Sequence, residues 1–319
     1  MNPGREVVIN VCVEASEDWL FGDLKKGFAR TAIAGTRIEA TDEPIEADSW
    51  IFIRTAEAAS SPDLNRTVVC IHDLYGPDGS YLPGGARSAV RDAAALALCH
   101  PSQRAILEAE HVDLASKRII ERPLGALSGF TTRNTLSPRF RVGWIGRFHH
   151  RKRCEWFPEV VRLLRGGTRN TEAVLIGKDL DTVAQTLAEI PVACEHYNRR
   201  HCAIEDYPAI YKTLDCVVIT SSTEAGPLPL FEALATGIPV VSTPVGWAPY
   251  FHEFAPHFVR LGSSPAELAD HIAEIREARS DFFERRTEIA ALTEPFRLEG
   301  WYRELVYLAK SLVFPLRLD

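Results

Sequence analysis

Short apolar runs rich in Val and Ile recur along this chain, separated by stretches with helical spacing. In the first half the runs are EVVINVCV (6–13), DSWIFIR (48–54), RTVVCIH (66–72) and ALALC (95–99), and RIIERP (118–123) reads as a fifth. In the second half they are RVGWIG (141–146), EAVLIG (172–177), VACEHY (192–197), CVVITS (216–221), PVVSTP (239–244) and HFVRL (257–261). Helical patterns fall at 154–165, 180–189, 206–213, 229–236 and 265–278. A continuous apolar run is how a strand buried on both faces reads. Strands of that kind alternating with helices predict an α/β fold of doubly wound parallel sheets.

One stretch interrupts the alternation. PLGALSGFTTRNTLSPRF (123–140) is rich in Gly, Ser, Thr, Asn and Pro and ends where RVGWIG restarts a strand. It predicts two Rossmann-like domains, 1–125 and 141–297, joined by a linker at 126–140. A last amphipathic helix, LEGWYRELVYLAKSLV (298–313), opens the remaining segment 298–319. A chain of 319 residues suits two domains of ordinary size.

Charge and cysteine content narrow the class. Asp and Glu number 43 against 36 Lys and Arg, a net charge of −7, which argues against general nucleic-acid binding. The seven cysteines are scattered, without a CxxC pair, and several sit in apolar runs such as VVCIHD and DCVVIT. They read as buried free thiols in a reducing compartment. The opening MNPGREVVINVCVE lacks a signal-peptide layout, and no run reaches the ~18 apolar residues of a membrane span. A cytoplasmic protein is expected, with peripheral membrane contact left open and oligomeric state unread.

Two segments carry candidate chemistry. GRFHHRKR (146–153) places Gly146 at a strand end, followed by Arg147 and Lys152 in a basic loop. Ligands of open α/β sheets bind at the carboxyl ends of strands, and Arg and Lys suit a diphosphate. A solvated basic loop is the plain alternative. His149 and His150 have no carboxylate at metal-ligand spacing and read as polar contacts. The second segment is SSTEAGPLPLFEALATGIPVVSTPVG (221–246). Its turn ends in a helix that starts near Pro227 to Pro229, where free amides and the helix dipole favour an anion. Glu224 lies in the turn and Glu232 about a turn into the helix. They suit sugar hydroxyls and a ribose diol. The plain alternative is that Glu224 caps the helix and Glu232 favours its first turn electrostatically.

Together these segments resemble the C-terminal domain of retaining GT-B glycosyltransferases of family 4. The family's G-R-x4-K segment reads here Gly146-Arg147-FHHR-Lys152. Its E-x7-E element reads Glu224-AGPLPLF-Glu232, followed by ATGIPVVSTPVG (235–246). The likeness is strong over 140–250 and is one of layout alone in the N-terminal half. It implies the GT-B fold, with two Rossmann-like domains facing across a cleft. By the resemblance Arg147 and Lys152 hold the donor diphosphate and Glu224 contacts the donor sugar. Gly146 and the backbone at Ala225, Gly226, Pro227 and Leu228 line the donor site, and Glu232 binds the ribose. Two departures bear on sugar identity. Ala225 stands where the family usually has Gly, acceptable only without positive φ, and Pro227 removes one N–H.

In the first half, VVCIHDLYGPDG (68–79) puts His72 and Asp73 at a strand end. The resemblance implies that His72 points against the donor sugar as a catalytic-site residue. Gly22, in EDWLFGDLKKGF, is a candidate close-approach glycine, and Ser102 a candidate helix cap. Asp179-Leu180-Asp181 follows a strand and reads as helix capping, not a metal site. The resemblance further implies a metal-free transferase that moves a sugar from a nucleotide-diphosphate sugar to a hydroxyl acceptor, forming an α-linkage, with no cofactor. The expected partners are the nucleotide sugar and a glycan, lipid-linked or small-molecule acceptor. The rivals are a GT-B epimerase and an inactive scaffold on the same fold.

Overall fold

The computed structural model describes residues 5–14, 19–72, 84–127, 129–164, 167, 170–198 and 204–314. Asp73, with the loop after it, and Cys202 lie outside them. Two compact units divide the chain, Met1–Leu124 with Leu298–Asp319, and Gly125–Arg297.

Unit 1 contains β1 (Val7–Cys12), α1 (Trp19–Arg30), β2 (Thr36–Thr41), β3 (Ser49–Phe52), β4 (Thr67–Ile71), α2 (Gly84–Asp92), β5 (Ala95–Leu98), α3 (Ser102–Ala109) and β6 (Arg118–Glu121). All the strand pairs are parallel, in the order β2-β1-β3-β4-β5-β6. The central strands β3, β4 and β5 are buried at every position. β2, TRIEAT, is an edge strand with no fully buried residue. It needs no apolar run, so the apolar pattern does not reveal it. α3 begins at Ser102, but Ser102 does not cap it. Pro101 occupies the cap position, and Ser102 N–H donates instead to His100 Nδ1 at 3.2 Å.

Unit 2 contains β7 (Phe140–Arg147), α4 (Trp156–Arg162), β8 (Thr171–Lys178), α5 (Asp181–Ala188), β9 (Ala193–Asn198), α6 (Tyr207–Tyr211) and β10 (Cys216–Ile219). It continues with α7 (Leu228–Ala235), β11 (Val240–Ser242), α8 (Ala248–Phe254), β12 (Val259–Leu261), α9 (Pro265–Glu277), α10 (Arg279–Glu284) and α11 (Arg286–Ala291). Its six parallel strands run β12-β11-β10-β7-β8-β9. The order reverses between β7 and β10, the first and fourth strands of the unit. In a doubly wound sheet that reversal leaves a crevice at the carboxyl ends of those two strands.

The stretch 126–140, expected as a linker, belongs to unit 2. Phe130 packs edge-on to Tyr211 at 5.0 Å. Arg133 reaches Asp215 at 2.7 Å, and Ser137 Oγ donates to Thr213 O at 2.7 Å. The chain enters and leaves unit 2 side by side. Gly125 has φ +79°, and a Cβ there would strike the carbonyl of Phe296, so only glycine fits this crossing.

α12 (Leu298–Val313) then packs on unit 1 against β3 and β4. Its Trp301 and Tyr302 meet Phe28 of α1 at centroid distances of 5.7 and 4.6 Å. Gly27 makes this approach possible, because a Cβ there would overlap the Tyr302 ring. Among the described residues no helix is long and apolar enough to cross a membrane.

Candidate functional site

The basic loop after β7 and the Glu-bearing turn after β10 meet at the carboxyl ends of these neighbouring strands. A buried polar chain fixes them to each other. Trp144 brings an indole N–H into the core, where it requires an acceptor. It donates to Thr220 Oγ1 at 2.9 Å. That hydroxyl donates in turn to Lys152 O at 2.7 Å. One step on, Ser222 N–H donates to Arg151 O at 2.7 Å. From β11, Thr243 Oγ1 donates to Ser221 O at 2.6 Å. The loops are thus held by backbone, independently of their charged ends.

On this frame Lys152 Nζ and Glu224 Oε1 stand 2.5 Å apart, and Ser221 Oγ donates to the same oxygen at 2.7 Å. The pair is only partly exposed. Glu224 is therefore not a helix cap. Pro227 occupies the cap position of α7, with no side-chain cap hydrogen bond. The amides of Gly226 and Leu228 make no hydrogen bond within the described residues. They remain available to an anion at the helix N-terminus. Ala225 is buried and is not among the residues with positive φ, so its side chain is tolerated here. Gly246, at φ +52°, lets the loop after β11 close against Ala225 and Pro227.

Glu232 is the fifth residue of α7, beyond the first turn, and only 2% exposed. Tyr211 OH of α6 donates to its Oε2 at 2.7 Å, whereas its Oε1 has no hydrogen-bond partner. Burial lifts this carboxyl to about 7, and the Tyr211 hydrogen bond opposes the shift. A buried carboxylate oxygen left without a donor is costly, and a ligand hydroxyl would satisfy it.

This raised pKa ties stability to pH. Between the carboxyl's ordinary 4.5 and about 7, the folded chain keeps a proton that the unfolded chain releases. Stability therefore falls as pH rises through that window. Glu232→Gln is expected to remove this contribution to the slope and to stabilise the protein by up to about 3 kcal/mol above neutrality. Denaturant melts across pH check this, and an unchanged slope would contradict it.

Cations gather at the same strand ends. Arg147 is exposed and has no acidic partner among the described residues. His149 and His150 stack at 4.3 Å, and Arg151 N–H donates to His149 Nδ1 at 3.2 Å. His149 is pushed below the usual histidine range by burial, then by the charges of His150, Arg151, Arg147 and Lys152. Gly146 packs against the Trp144 ring, and Gly177 of β8 lets that strand approach the Gly146 carbonyl.

Other candidates lie on other elements. His72 follows β4 in unit 1, with Nδ1 3.0 Å from Cys99 Sγ and its ring 5.9 Å from that of Trp301. Gly22 lies in α1, where a Cβ would meet nothing within 4 Å. Neither acid of Asp179-Leu180-Asp181 caps α5. Leu180 holds the cap position without a side-chain cap bond, Asp181 begins the helix, and Asp179 takes φ +59°. Among the described residues no cluster of three His, Cys, Asp or Glu side chains could hold a metal ion. The cysteines described are free.

Residues 139–277 match the family model of glycosyl transferases group 1. No curated protein matches the chain in sequence. In fold the chain is similar to GT-B glycosyltransferase structures. One is a mutant of S. aureus TarM, in complex with fondaparinux, alpha-GlcNAc-glycerol and UDP. It has a TM-score of 0.66 and 16% identity, covering 83% of this chain and 56% of that one. This chain thus spans little more than half the length of TarM. Anabaena HepE, in complex with UDP-glucose, has a TM-score of 0.68 and 15% identity over 95% of this chain and 99% of its own. Sucrose-phosphate synthase from Thermosynechococcus elongatus has a TM-score of 0.73 and 13% identity over 97% and 99%. At these identities the likeness establishes the fold.

Proposed function

We propose that this chain is a retaining GT-B glycosyltransferase of the family 4 kind. It moves a sugar from a nucleotide-diphosphate sugar to a hydroxyl acceptor and forms an α-glycosidic bond. The observation that carries the reading is the Lys152–Glu224 pair at 2.5 Å, formed between two loops at the switch point of unit 2. The helix that follows the turn carries the buried Glu232 carboxyl with one unpartnered oxygen. The match to group 1 glycosyl transferases over 139–277 supports it, as do the UDP and UDP-glucose complexes of the proteins with similar folds.

Each residue has a physical role in this reading. Arg147 offers a planar fork and Lys152 a point charge to the diphosphate. The amides of Gly226 and Leu228 add donors along the α7 dipole. When the bond to the sugar breaks, its electron pair stays on the diphosphate. The charge that appears there is met by Arg147, Lys152 and these amides, already in place. Glu224 accepts from sugar hydroxyls, and Glu232 accepts from the ribose diol through Oε1. Unit 1 holds the acceptor, and His72 is its contribution to the chemistry. We assign neither a metal nor a cofactor to the reaction. The buried free thiols fit a cytoplasmic location.

The test is incubation with single nucleotide sugars in the absence of acceptor, with proton NMR as the readout. Slow release of the free sugar, first as the α anomer from an α-linked donor, is the expected result. First appearance of the β anomer would overturn retention, and no release from any donor would overturn the transferase reading.

A further inference from the structure

We infer that Lys178, at the end of β8, is a third cation for the donor diphosphate, beside Arg147 and Lys152. The inference rests on the donor-site reading above and adds a residue outside its motifs.

Two neighbouring strands end alike. β7 ends in Trp-Ile-Gly-Arg (144–147), and β8 ends in Leu-Ile-Gly-Lys (175–178). The strands pair in parallel, and the two endings align in register. Ile145 faces Ile176, Gly146 faces Gly177, and Arg147 faces Lys178. Register partners on neighbouring parallel strands share a face of the sheet and lie about 4.8 Å apart. The ladder continues one step further, with Phe148 N–H donating to Lys178 O at 3.0 Å.

The backbone holds this position tightly. Gly177 takes φ +150°, and a Cβ there would strike the carbonyl of Gly146. Asp179 takes φ +59°, in the left-handed region that costs a non-glycine residue energy. Lys178 thus stands between two unusual backbone angles at the point where the strand ends press together. Such features persist where the surrounding structure enforces them.

No described acid neutralises either cation. Arg147 and Lys178 are both exposed, and neither has an acidic partner among the described residues. The chain carries net negative charge, yet places like charges on adjacent strand ends. Like charges facing each other repel, and a bound anion removes the repulsion. A third cation also suits the chemistry, since one further negative charge forms on the diphosphate as the sugar leaves.

The test is calorimetry on the whole chain with UDP, GDP, dTDP, ADP and inorganic pyrophosphate. The proteins are the wild type, Lys178→Gln, Lys178→Arg and Arg147→Gln. Lys178→Gln should weaken both the preferred nucleotide and pyrophosphate by about tenfold, the loss expected for one charge-assisted contact. Lys178→Arg should recover most of that loss. An unchanged melting temperature shows that the exposed substitution leaves the fold intact. If the wild type binds a nucleotide and Lys178→Gln binds it equally, the inference fails and the donor-site reading stands. If Lys178→Gln loses the nucleotide but not pyrophosphate, Lys178 reads the base and the phosphate assignment fails. If the wild type binds none of the probes, both fail together.

Discussion

Lys152→Ala is expected to lower turnover of the nucleotide sugar by about 10²- to 10³-fold, the usual consequence of losing one preorganised charge at a leaving group. Most of the loss should appear in kcat. Lys152 Nζ sits 2.5 Å from Glu224 Oε1, so protein groups set its position. Its backbone carbonyl accepts from Thr220, a bond that the substitution preserves. The loop should therefore stay in place, with a melting temperature near that of the wild type. Glu224→Gln should cost a comparable factor, because the amide no longer holds the ammonium group as tightly. The double variant should lose less than the two single losses combined, since both act on one contact. Steady-state rates of nucleotide release measure all three. Strict additivity would contradict a shared role.

The second large effect concerns stability. Asp215→Ala is expected to destabilise unit 2 by about 3–5 kcal/mol, the cost of stripping the partner from a buried charge. Asp215 and Arg133 are each 1% exposed and lie 2.7 Å apart. Asp215 also accepts from Arg279 at 2.7 Å and from the backbone N–H of Arg141 at 2.9 Å. One carboxylate thus ties the stretch 126–140, the start of β7 and the α10 helix together. Burial pushes the Arg133 guanidinium below its usual range, and Asp215 restores part of the shift. Hydrogen exchange along β7 and β10 gives the cleanest measure, because a chain of two units need not unfold in one step. Protection there should fall by several orders of magnitude, and unit 1 should be little affected. By contrast, Arg66→Ala removes an exposed pair with Asp63, and should shift stability by under about 1 kcal/mol.

Both sites depend on strands that are legible in the sequence and on contacts that are not. The buried strands can be read because a parallel strand covered on both faces leaves an unbroken Val/Ile run, as in TVVCI and CVVI. β2 cannot, because a wet edge strand can be as polar as TRIEAT. α12 is legible to its ends, since LEGWYRELVYLAKSLV carries a complete amphipathic period. The basic loop and the glutamate turn can be found because each comes directly after a strand with a clear end. Their contact depends on strand order, and β7 and β10 are neighbours only because the two intervening strands go the other way.

The hydrogen bonds that set the site are harder still to read. Trp144 and Tyr211 look like core aromatics, and nothing local marks Thr220 or Glu232 as their partners. A buried Trp in a strand does demand an acceptor, and that demand is the one signal for Thr220. Capping at Glu224 and at Asp179-Leu180-Asp181 misleads for a related reason. An acid before a helix favours a cap locally, but Glu224 meets an ammonium group, and Asp179 is turned by its left-handed backbone. The repeated Ile-Gly-cation ending of β7 and β8 is visible in the sequence. Its meaning depends on a register that only the folded sheet supplies.

The most direct measurement is calorimetric binding of UDP, GDP, dTDP and ADP to the wild type, Arg147→Ala and Glu232→Ala. One diphosphate is expected to bind the wild type with micromolar affinity, and both substitutions should remove it, Arg147 through the phosphates and Glu232 through the ribose. Absence of binding by every nucleotide, or binding that survives both substitutions, would contradict the donor site proposed at the ends of β7 and β10.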